Sequence, residues 1–377
     1  MENIEPFSDS SVKNSMRAYK YRIYPNTEQK ALIAKHFGCS RHIYNWALSE
    51  KDKHYKETGK SLSKRQLQDS MAEKRTDKEW LTEVNSQSLL ASLAHLDIAF
   101  SNFFQGRTKF PKFKSKYSGW QAFQSPQHVT VDFEQNNINL PKLKGIKAKL
   151  HRPFTGKVKT VTVKRCPSGK YYASVLVDNG VVNPVPATIE PENTIGIDVG
   201  LTEFLIDSEG NKTKNPRILK SSLERLGAEQ KKFARNKKGS GNRAKQKRKV
   251  SKIHEIVANR RHDFIHQVTA KLAVKNHATT IAVENLNIKG MIRNRKLSRA
   301  IQEASWGMFL RVLDYKCRWN GKNIIQIGRF QPSSKLCNCC GYKAESMALS
   351  IREWDCPVCK SHNDRDINAA HCYTLSA

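Results

Sequence analysis

Two Cys-x-x-Cys pairs near the end of the chain constrain its folding more than any other feature. Fifteen residues separate the two pairs. Each pair bends the backbone so that both sulfurs face one tetrahedral ion, and two such pairs at this separation predict a structural zinc ribbon. Cys339 does not fit the spacing and is expected to lie outside the ligand set. The predicted ligands are Cys337, Cys340, Cys356 and Cys359.

The charge of the chain indicates a polyanionic partner. Its 377 residues allow two to three domains, and 66 Lys and Arg against 34 Asp and Glu leave a net charge of +32. Such a surplus favours nucleic acid. An anionic membrane is the competing partner, but the sequence shows no transmembrane run and no signal peptide at its polar start. We therefore expect no membrane partner.

The cysteine content predicts a reducing compartment. The chain has nine cysteines and no secretory signal, so thiols used for metal are expected in place of disulfides. Four further cysteines are expected to be ordinary buried side chains: Cys39, Cys166, Cys317 and Cys372.

The first part of the chain combines one strand with a long helical region. Residues 17–24 alternate as a strand does, and Asn26 with Gln29 predicts a helix N-cap. Residues 27–105 are expected to be mostly helical. An apolar stripe on the last predicted helix indicates core packing: Leu89, Leu93, Leu96, Phe100, Phe103 and Phe104.

A stretch of alternating basic and aromatic residues follows at 107–117. This pattern can track a phosphate backbone while its rings stack on bases, although a solvated loop pinned by its aromatics explains it equally well. The basic residues proposed to contact nucleic acid are Arg107, Lys109, Lys112 and Lys114.

Short β-runs separated by turns replace the helical pattern from 120 to 187. Runs at 129–131, 138–140, 157–163 and 171–177 predict a small antiparallel barrel or sandwich. The strand at 17–24 is expected to join it, which makes the helical region an insertion.

The second part of the chain has an α/β pattern. It predicts strands at 194–198, 204–206, 279–284 and 323–328. The predicted helical segments are 220–276, split near Gly239-Ser240-Gly241, and 301–319.

A strongly basic run lies inside the first of these helical segments. Residues 231–261 hold thirteen Lys and Arg and one acid, Glu255. A basic face with an apolar back predicts a helix that packs on a sheet and faces nucleic acid. The residues proposed for contact are Lys245, Lys247, Arg248 and Lys249.

Three carboxylates carry the predicted chemistry. Asp198 and Glu284 end two predicted strands, and Asp366 begins a helix-prone segment after the cysteines. Acids at strand ends meet where α/β sheets collect ligands. Phosphodiester cleavage by the two-metal route needs carboxylates that converge on two Mg²⁺ ions. Motifs for a Ser/His/Asp triad and for nucleotide-binding loops are absent from the sequence.

At these residues the chain resembles the TnpB family of insertion-sequence-encoded, RNA-guided nucleases related to type V CRISPR effectors. The resemblance covers nearly the whole chain. The N-terminal segment 19–25, the segment 99–116 and Pro332-Ser333-Ser334-Lys335 resemble family signatures. Three segments resemble the motifs of a split RuvC-like nuclease: 196–201, 284–287 and 364–370.

The resemblance implies a fold, a site and partners. It implies a multidomain protein of α/β and β domains, and it assigns the catalytic, Mg²⁺-binding roles to Asp198, Glu284 and Asp366, with Asp366 favoured over Asp364. It also implies a guide RNA that pairs with target DNA next to a short flanking motif, bound by a single copy of the protein. The implied domains are a wedge-type β-barrel (1–25 and 118–190), a helical recognition lobe (26–117), a RuvC/RNase H-like domain (191–335 and 361–377) and the zinc ribbon (336–360).

Two other functions remain open at this point. One is a guided DNA-binding repressor that does not cut. The other is a zinc-containing DNA-binding accessory protein without a guide, because guide use rests on the resemblance alone.

Overall fold

The computed structural model describes residues 14–117, 119–328, 335–348 and 351–374. Residues 1–13 and 375–377 of the predicted domains, and the predicted signature at Pro332-Ser333-Ser334, lie outside these ranges. The described residues form two compact units. One comprises Asn14–Val181 and Gly239–Lys252, and the other comprises the described parts of Val182–Lys238 and Ile253–Ala377.

A seven-stranded sheet forms the centre of the first unit. The strand order is β2-β6-β7-β1-β5-β4-β3, so β1 joins the later strands as predicted. Two strands, β2 and β5, were not predicted; β2 lacks the β-branched residues that mark most strands. The strands are β1 (Asn14–Tyr24), β2 (Gln121–Ser125), β3 (Thr130–Asp132), β4 (Asn137–Leu140), β5 (Leu143–Lys149), β6 (Lys157–Arg165) and β7 (Tyr171–Val182).

Three helices occupy the chain between β1 and β2: α1 (Thr27–Thr58), α2 (Lys64–Asp77) and α3 (Ser86–Phe104). The predicted cap of α1 is confirmed, because the Asn26 side chain accepts from the Gln29 amide at 2.8 Å and the Gln29 side chain accepts from the Asn26 amide at 2.9 Å. The predicted stripe on α3 is only partly correct. Leu89, Leu93 and Leu96 are buried, but Phe104 at the helix end is 76% exposed.

A five-stranded sheet forms the centre of the second unit, in the order β10-β9-β8-β11-β12. The strands β8, β11 and β12 run parallel, whereas β9 is antiparallel to β8 and β10 is antiparallel to β9. The strands are β8 (Thr194–Asp198), β9 (Glu203–Asp207), β10 (Lys212–Lys214), β11 (Thr280–Glu284) and β12 (Asn323–Ile327).

Six further helices belong to this half of the chain. They are α4 (Leu223–Arg235), α5 (Gly241–Ala270), α6 (Ile288–Met291), α7 (Ser298–Ala304), α8 (Trp306–Trp319) and α9 (Arg365–Thr374). The predicted split near Gly239 is confirmed, since α4 ends at Arg235 and α5 begins at Gly241. Residues 239–252, which include the first part of α5, group with the first unit. The single helix predicted at 301–319 is wrong: Ser305 adopts a left-handed conformation, with φ of 56°, and separates α7 from α8.

The two faces of the five-stranded sheet are covered by different helices. Side chains alternate between faces along a strand, and Ile195, Ile197 and Phe204 pack with residues of α5 and α8. Phe204 meets Phe264 of α5 and Phe309 of α8 edge-on, at ring distances of 4.9 and 5.4 Å. The opposite face carries α9, whose Tyr373 packs with Ala282, Ile325 and Ile327.

In the described ranges of the chain, no helix is long and apolar enough to cross a bilayer.

Candidate active site and metal centre

Asp198 and Glu284 end adjacent parallel strands at the same level. Ile197 of β8 pairs with Val283 of β11, so the two acids are the next residues along each strand. Both strands are buried up to their last residue, and each acid is half-buried. Because side chains alternate, Asp198 shares a face with Gly196, which is the face that α9 covers. The two strand-end acids therefore project from neighbouring strands at the edge of the sheet.

The helix α9 comes unusually close to β8 and brings Asp366 to these acids. A Cβ added to Gly196 would lie 1.8 Å from the Ala370 carbonyl oxygen, so only glycine fits at this crossing. Asp366 lies in the first turn of α9. The helix-prone segment predicted after the cysteines is therefore a helix that packs on β8, and the Gly196–Ala370 contact fixes how closely it packs.

The electrostatics of Asp198 indicate that the three acids are close. Burial, together with the negative charges of Asp366 and Glu284, raises the pKa of Asp198 to about 7. Burial also raises the pKa of Glu284, against the effect of a hydrogen bond that the Tyr373 hydroxyl donates to its Oε2 at 3.4 Å. Carboxylates that repel one another in this way gain from a divalent cation.

Arg352 provides a cation at this site. Its Nη1 lies 3.3 Å from both carboxylate oxygens of Asp366. The guanidinium thus contacts oxygens that a metal would otherwise use. The three carboxylates are spread more widely than a closed ligand set, since the described residues contain no acid cluster with ligand oxygens all within 4.8 Å of one another.

Asp364, the alternative acid of this segment, makes different contacts. Its Oδ1 accepts hydrogen bonds from the backbone amides of Asp366 and Ile367, and its Oδ2 lies 2.5 Å from the Lys212 ammonium. Burial would raise the pKa of Asp364, but the Lys212 ammonium and the two amides hold it below its usual value. Asp364 therefore serves as the N-cap of α9.

The four predicted cysteine ligands form one cluster. Their sulfur atoms all lie within 4.8 Å of one another, and the described residues hold no other such group of His, Cys, Asp or Glu. The Sγ–Sγ distance is 3.7 Å for Cys337 and Cys359, and 3.6 Å for Cys340 and Cys356. Tetrahedral Zn²⁺ with Zn–S bonds of about 2.3 Å requires sulfurs roughly 3.8 Å apart. The donor set therefore fits zinc in both number and spacing, while Cys339 lies outside it.

The two cysteine pairs have matching backbone turns. The amide of Gly341 donates to the Cys337 carbonyl, and the amide of Lys360 donates to the Cys356 carbonyl, each at 2.9 Å. Gly341 and Lys360 both have positive φ, at 76° and 61°. The two turns are thus the repeated local structure that the Cys-x-x-Cys pattern predicts.

The cysteine module is bound to α9 by two side chains of that helix. Asn368, which is buried, donates to the Leu336 carbonyl at 2.6 Å and accepts from the Asn338 amide at 2.9 Å. Arg365, also buried, donates to the Ala348 carbonyl at 2.9 Å. The helix that carries Asp366 therefore also supports the cysteine cluster.

The residues proposed to bind nucleic acid are exposed. Lys245, Lys247, Arg248 and Lys249 are exposed on α5, as are Arg107, Lys109, Lys112 and Lys114 after α3. Lys114 has its Nζ 3.7 Å from the centre of the Tyr44 ring, and its backbone is held by both atoms of the Asn45 amide group. Lys114 thus also anchors its loop to α1. The rings of Phe104, Phe110 and Phe113 remain exposed beside it.

Several residues around the acids were not singled out from the sequence: Lys212, Arg352 and Tyr373. Their partners are 152, 14 and 89 residues away along the chain, so no local pattern marks them. Asn368 and Arg365 stood in a recognised motif, but spacing alone did not indicate their contacts.

Three protein-family models match parts of the chain. A "Probable transposase" model of IS605 OrfB matches residues 174–295, and a Cas12f1-like TNB domain model matches residues 306–372. A model described as a helix-turn-helix domain matches residues 16–60, which in this structure form the strand β1 and the single helix α1.

Similar proteins extend over nearly the whole chain. A "Putative RNA-guided DNA endonuclease" of Streptomyces pristinaespiralis is 36% identical and aligns over 94% of this chain and 87% of its own length. The "Putative RNA-guided DNA endonuclease InsQ" of Escherichia coli (strain K12) is 30% identical over 94% of this chain and 90% of its own. A solved structure, that of Cas12f1 in a complex with sgRNA and target DNA, superposes with a TM-score of 0.59 at 14% identity, covering 96% of this chain and 99% of that one.

The fold and the site define a multidomain α/β protein with the Cas12f-type fold and a four-cysteine TNB module. The sequence identity to relatives that align over most of their length identifies the family: the chain belongs to the IS605 OrfB/TnpB family.

Proposed function

We propose that the protein is an RNA-guided DNA endonuclease of an insertion sequence. The observation that carries the proposal is the placement of Asp198 and Glu284 at the ends of adjacent parallel strands, beneath the helix α9 that carries Asp366 in its first turn. The order β10-β9-β8-β11-β12 supports a RuvC/RNase H-like domain, since three antiparallel strands extended by two parallel ones are the arrangement expected of that fold. The names of the relatives support the same activity.

The three acids would hold two Mg²⁺ ions. When bound, the ions supply an activated water on one side of the scissile phosphate and charge stabilisation of the leaving oxygen on the other. Asp198 and Glu284 are fixed by the buried strands behind them, and Asp366 is fixed by α9. Arg352 contacts both oxygens of Asp366 and would compete with a metal ion for that carboxylate.

We propose that the cysteine cluster holds one structural Zn²⁺ ion. The sulfur spacings support this, since four thiolates at these distances suit a tetrahedral ion. The cysteine module would also support the helix that carries Asp366, because Asn368 of that helix forms hydrogen bonds with the module.

The guide RNA and the target DNA are the proposed partners. The seven-stranded sheet would serve as the wedge barrel and α1–α3 as the recognition lobe, with the short flanking motif read there and the sequence read by base pairing. The exposed cations of α5 and of the stretch after α3 support phosphate contacts. A single protein copy per RNA and a location in the bacterial cytoplasm remain predictions.

The basic residues of α5 give a prediction about salt dependence. The triple substitution of Lys245, Lys247 and Lys249 by Gln is expected to weaken nucleic-acid binding and to flatten the slope of log K against log salt by up to about one unit for each lost phosphate contact. Binding titrations across a salt series measure this slope.

A matched control removes three cations elsewhere. Lys53, Lys56 and Arg65 lie on α1 and α2, and each already forms an ion pair with an acid four residues away. Their substitution by Gln lowers the net charge equally and should change the slope less. Equal slopes for the two triple variants would show that only total charge matters.

The proposed function is tested by purifying the chain together with its bound RNA. We expect a defined RNA to co-purify, and the complex to cut only DNA that matches the variable end of this RNA, and only with Mg²⁺ present. Matched binding without cutting would indicate a guided repressor. DNA binding without any bound RNA would indicate an unguided accessory protein. Either result would overturn the proposal.

A further inference from the structure

Lys212 and Asp364 form an ion pair beside the proposed metal site. Lys212 is the first residue of the edge strand β10, and Asp364 directly precedes α9. The Lys212 Nζ and the Asp364 Oδ2 are 2.5 Å apart, with the carboxylate more buried than the ammonium. Asp364 raises the pKa of Lys212, so the lysine stays charged. The pair thus links the edge of the sheet to the start of the helix that carries Asp366.

Asp364 uses both of its oxygens for structure. One oxygen caps α9 by accepting from the amides of Asp366 and Ile367 at 3.0 and 3.2 Å, and the other binds Lys212. Since the amide of Asp366 itself donates to this cap, the Asp364 carboxylate directly orients the backbone of Asp366. A cap side chain has several rotamers, and a charged partner on its second oxygen restricts them.

The turn before β10 holds Lys212 in place. Asp207, which is buried, accepts from the backbone amides of Glu209 and Asn211 at 3.1 and 2.8 Å and from the Asn211 side chain. Gly210 lies close to α9: a Cβ atom built on this glycine would be 3.9 Å from the Cδ1 atom of Ile367. The turn therefore packs against the first turn of the helix, and Lys212 follows it immediately.

We propose that Lys212 is a positioning residue of the nuclease site, which fixes the Asp364 cap and through it the carboxylate of Asp366. This inference rests on the proposed function, since it assigns Lys212 a role toward the metal that Asp366 would bind. Positions that orient metal ligands without touching the metal commonly govern metal affinity.

The substitution Lys212→Met separates positioning from charge, because the two effects have opposite signs. Lys212 also acts electrostatically on Asp366, so removing its positive charge would by itself tighten cation binding. Loss of a positioning contact would instead weaken cation binding. We expect Lys212→Met to weaken Mn²⁺ binding to the RNA-free protein by about tenfold, measured by electron paramagnetic resonance of free Mn²⁺. The half-saturating Mg²⁺ concentration for DNA cleavage by the RNA complex should rise similarly, with the rate at saturating Mg²⁺ largely recovered.

Four companion variants complete the experiment. Lys212→Arg should restore binding. Asp364→Asn retains a capping side chain but loses the pair, and adding Lys212→Met to it should weaken binding no further, since the two residues act as one unit. Lys232→Met removes a comparable exposed lysine, paired with Glu229 at 3.2 Å, and should leave Mn²⁺ binding unchanged. Thermal melting shows that each variant is folded.

The outcomes distinguish this inference from the function on which it rests. Each Mn²⁺ titration is repeated with the same variant carrying the additional substitution Asp198→Ala. The difference in bound Mn²⁺ between the two titrations gives the number of ions bound at the site of the three acids. If Asp198→Ala changes nothing in the parent protein, the acids do not bind metal and the proposed function fails. If it does, but Lys212→Met binds Mn²⁺ as tightly as the parent or more tightly, the positioning role of Lys212 is refuted. If Lys212→Met lowers the melting temperature but leaves the Mn²⁺ affinity unchanged, the Lys212–Asp364 pair only stabilises the fold, and the positioning role is likewise refuted.

Discussion

Replacing any one of the three acids is expected to abolish Mg²⁺-dependent DNA cleavage while guide-directed DNA binding is retained. Each of Asp198→Ala, Glu284→Ala and Asp366→Ala would remove one of the carboxylates proposed to hold the ions, so the activation of water and the stabilisation of the leaving oxygen would be lost. Binding should be retained or slightly tightened, because each substitution removes a negative charge beside the phosphates. Cleavage assays and electrophoretic binding assays on the same RNA complexes measure the two effects separately.

These substitutions are not expected to act by unfolding the protein. Burial and the neighbouring carboxylates raise the pKa of Asp198, which means that its charged form is unfavourable in the metal-free protein. Removing the carboxylate relieves that repulsion. Thermal melting without Mg²⁺ should therefore show Asp198→Ala at least as stable as the parent chain.

The control for this prediction is Asp364→Ala. Asp364 caps α9, and loss of a cap costs about 1 kcal/mol of stability. The variant should keep substantial cleavage at high Mg²⁺ concentration. If Asp364→Ala were inactive while Asp366→Ala still cut DNA, the assignment within this segment would be wrong by two residues. Normal cleavage by all three acid variants would refute the nuclease proposal.

The sequence was informative where chemistry depends on local spacing. The cysteine cluster follows from two short turns, each complete within five residues, so the ligand spacing alone predicts it. Asp198 and Glu284 were found because a buried parallel strand is an apolar run, and an acid at its end stands out.

The sequence was less informative where the structure depends on contacts between distant segments. The pairing of Lys212 with Asp364, and of Tyr373 with Glu284, connects residues that no periodic pattern relates. The role of Gly196 is of the same kind, because a strand glycine indicates a close approach but not the partner, here the Ala370 carbonyl. The break at Ser305 was also missed, because its left-handed backbone interrupts an otherwise continuous helical pattern.

Loss of one zinc ligand is expected to disable cleavage, although the cysteines are not among the residues proposed to hold the catalytic ions. Cys356→Ser leaves three thiolates, and structural zinc contributes about 10–16 kcal/mol to the folding of small zinc modules. Residues 336–360 should therefore unfold and release zinc. Because Asn368 and Arg365 of α9 make hydrogen bonds to this module, α9 loses that support, and Asp366 with it. Metal analysis, hydrogen exchange of this segment and cleavage assays measure the three consequences.

Cys339→Ala provides the matched control for this loss. Cys339 lies between two ligands of the first pair and is exposed, but it is not a member of the cluster. The variant should retain one zinc per chain and cleave normally.

The substitution Asn368→Ala tests the coupling between the zinc module and α9. It leaves all four thiolates in place but removes the hydrogen bonds to Leu336 and Asn338. We expect it to keep zinc and to lose most cleavage. Full cleavage by this variant would show that the zinc module supports Asp366 by some other contact, and zinc-free native protein would refute the zinc site.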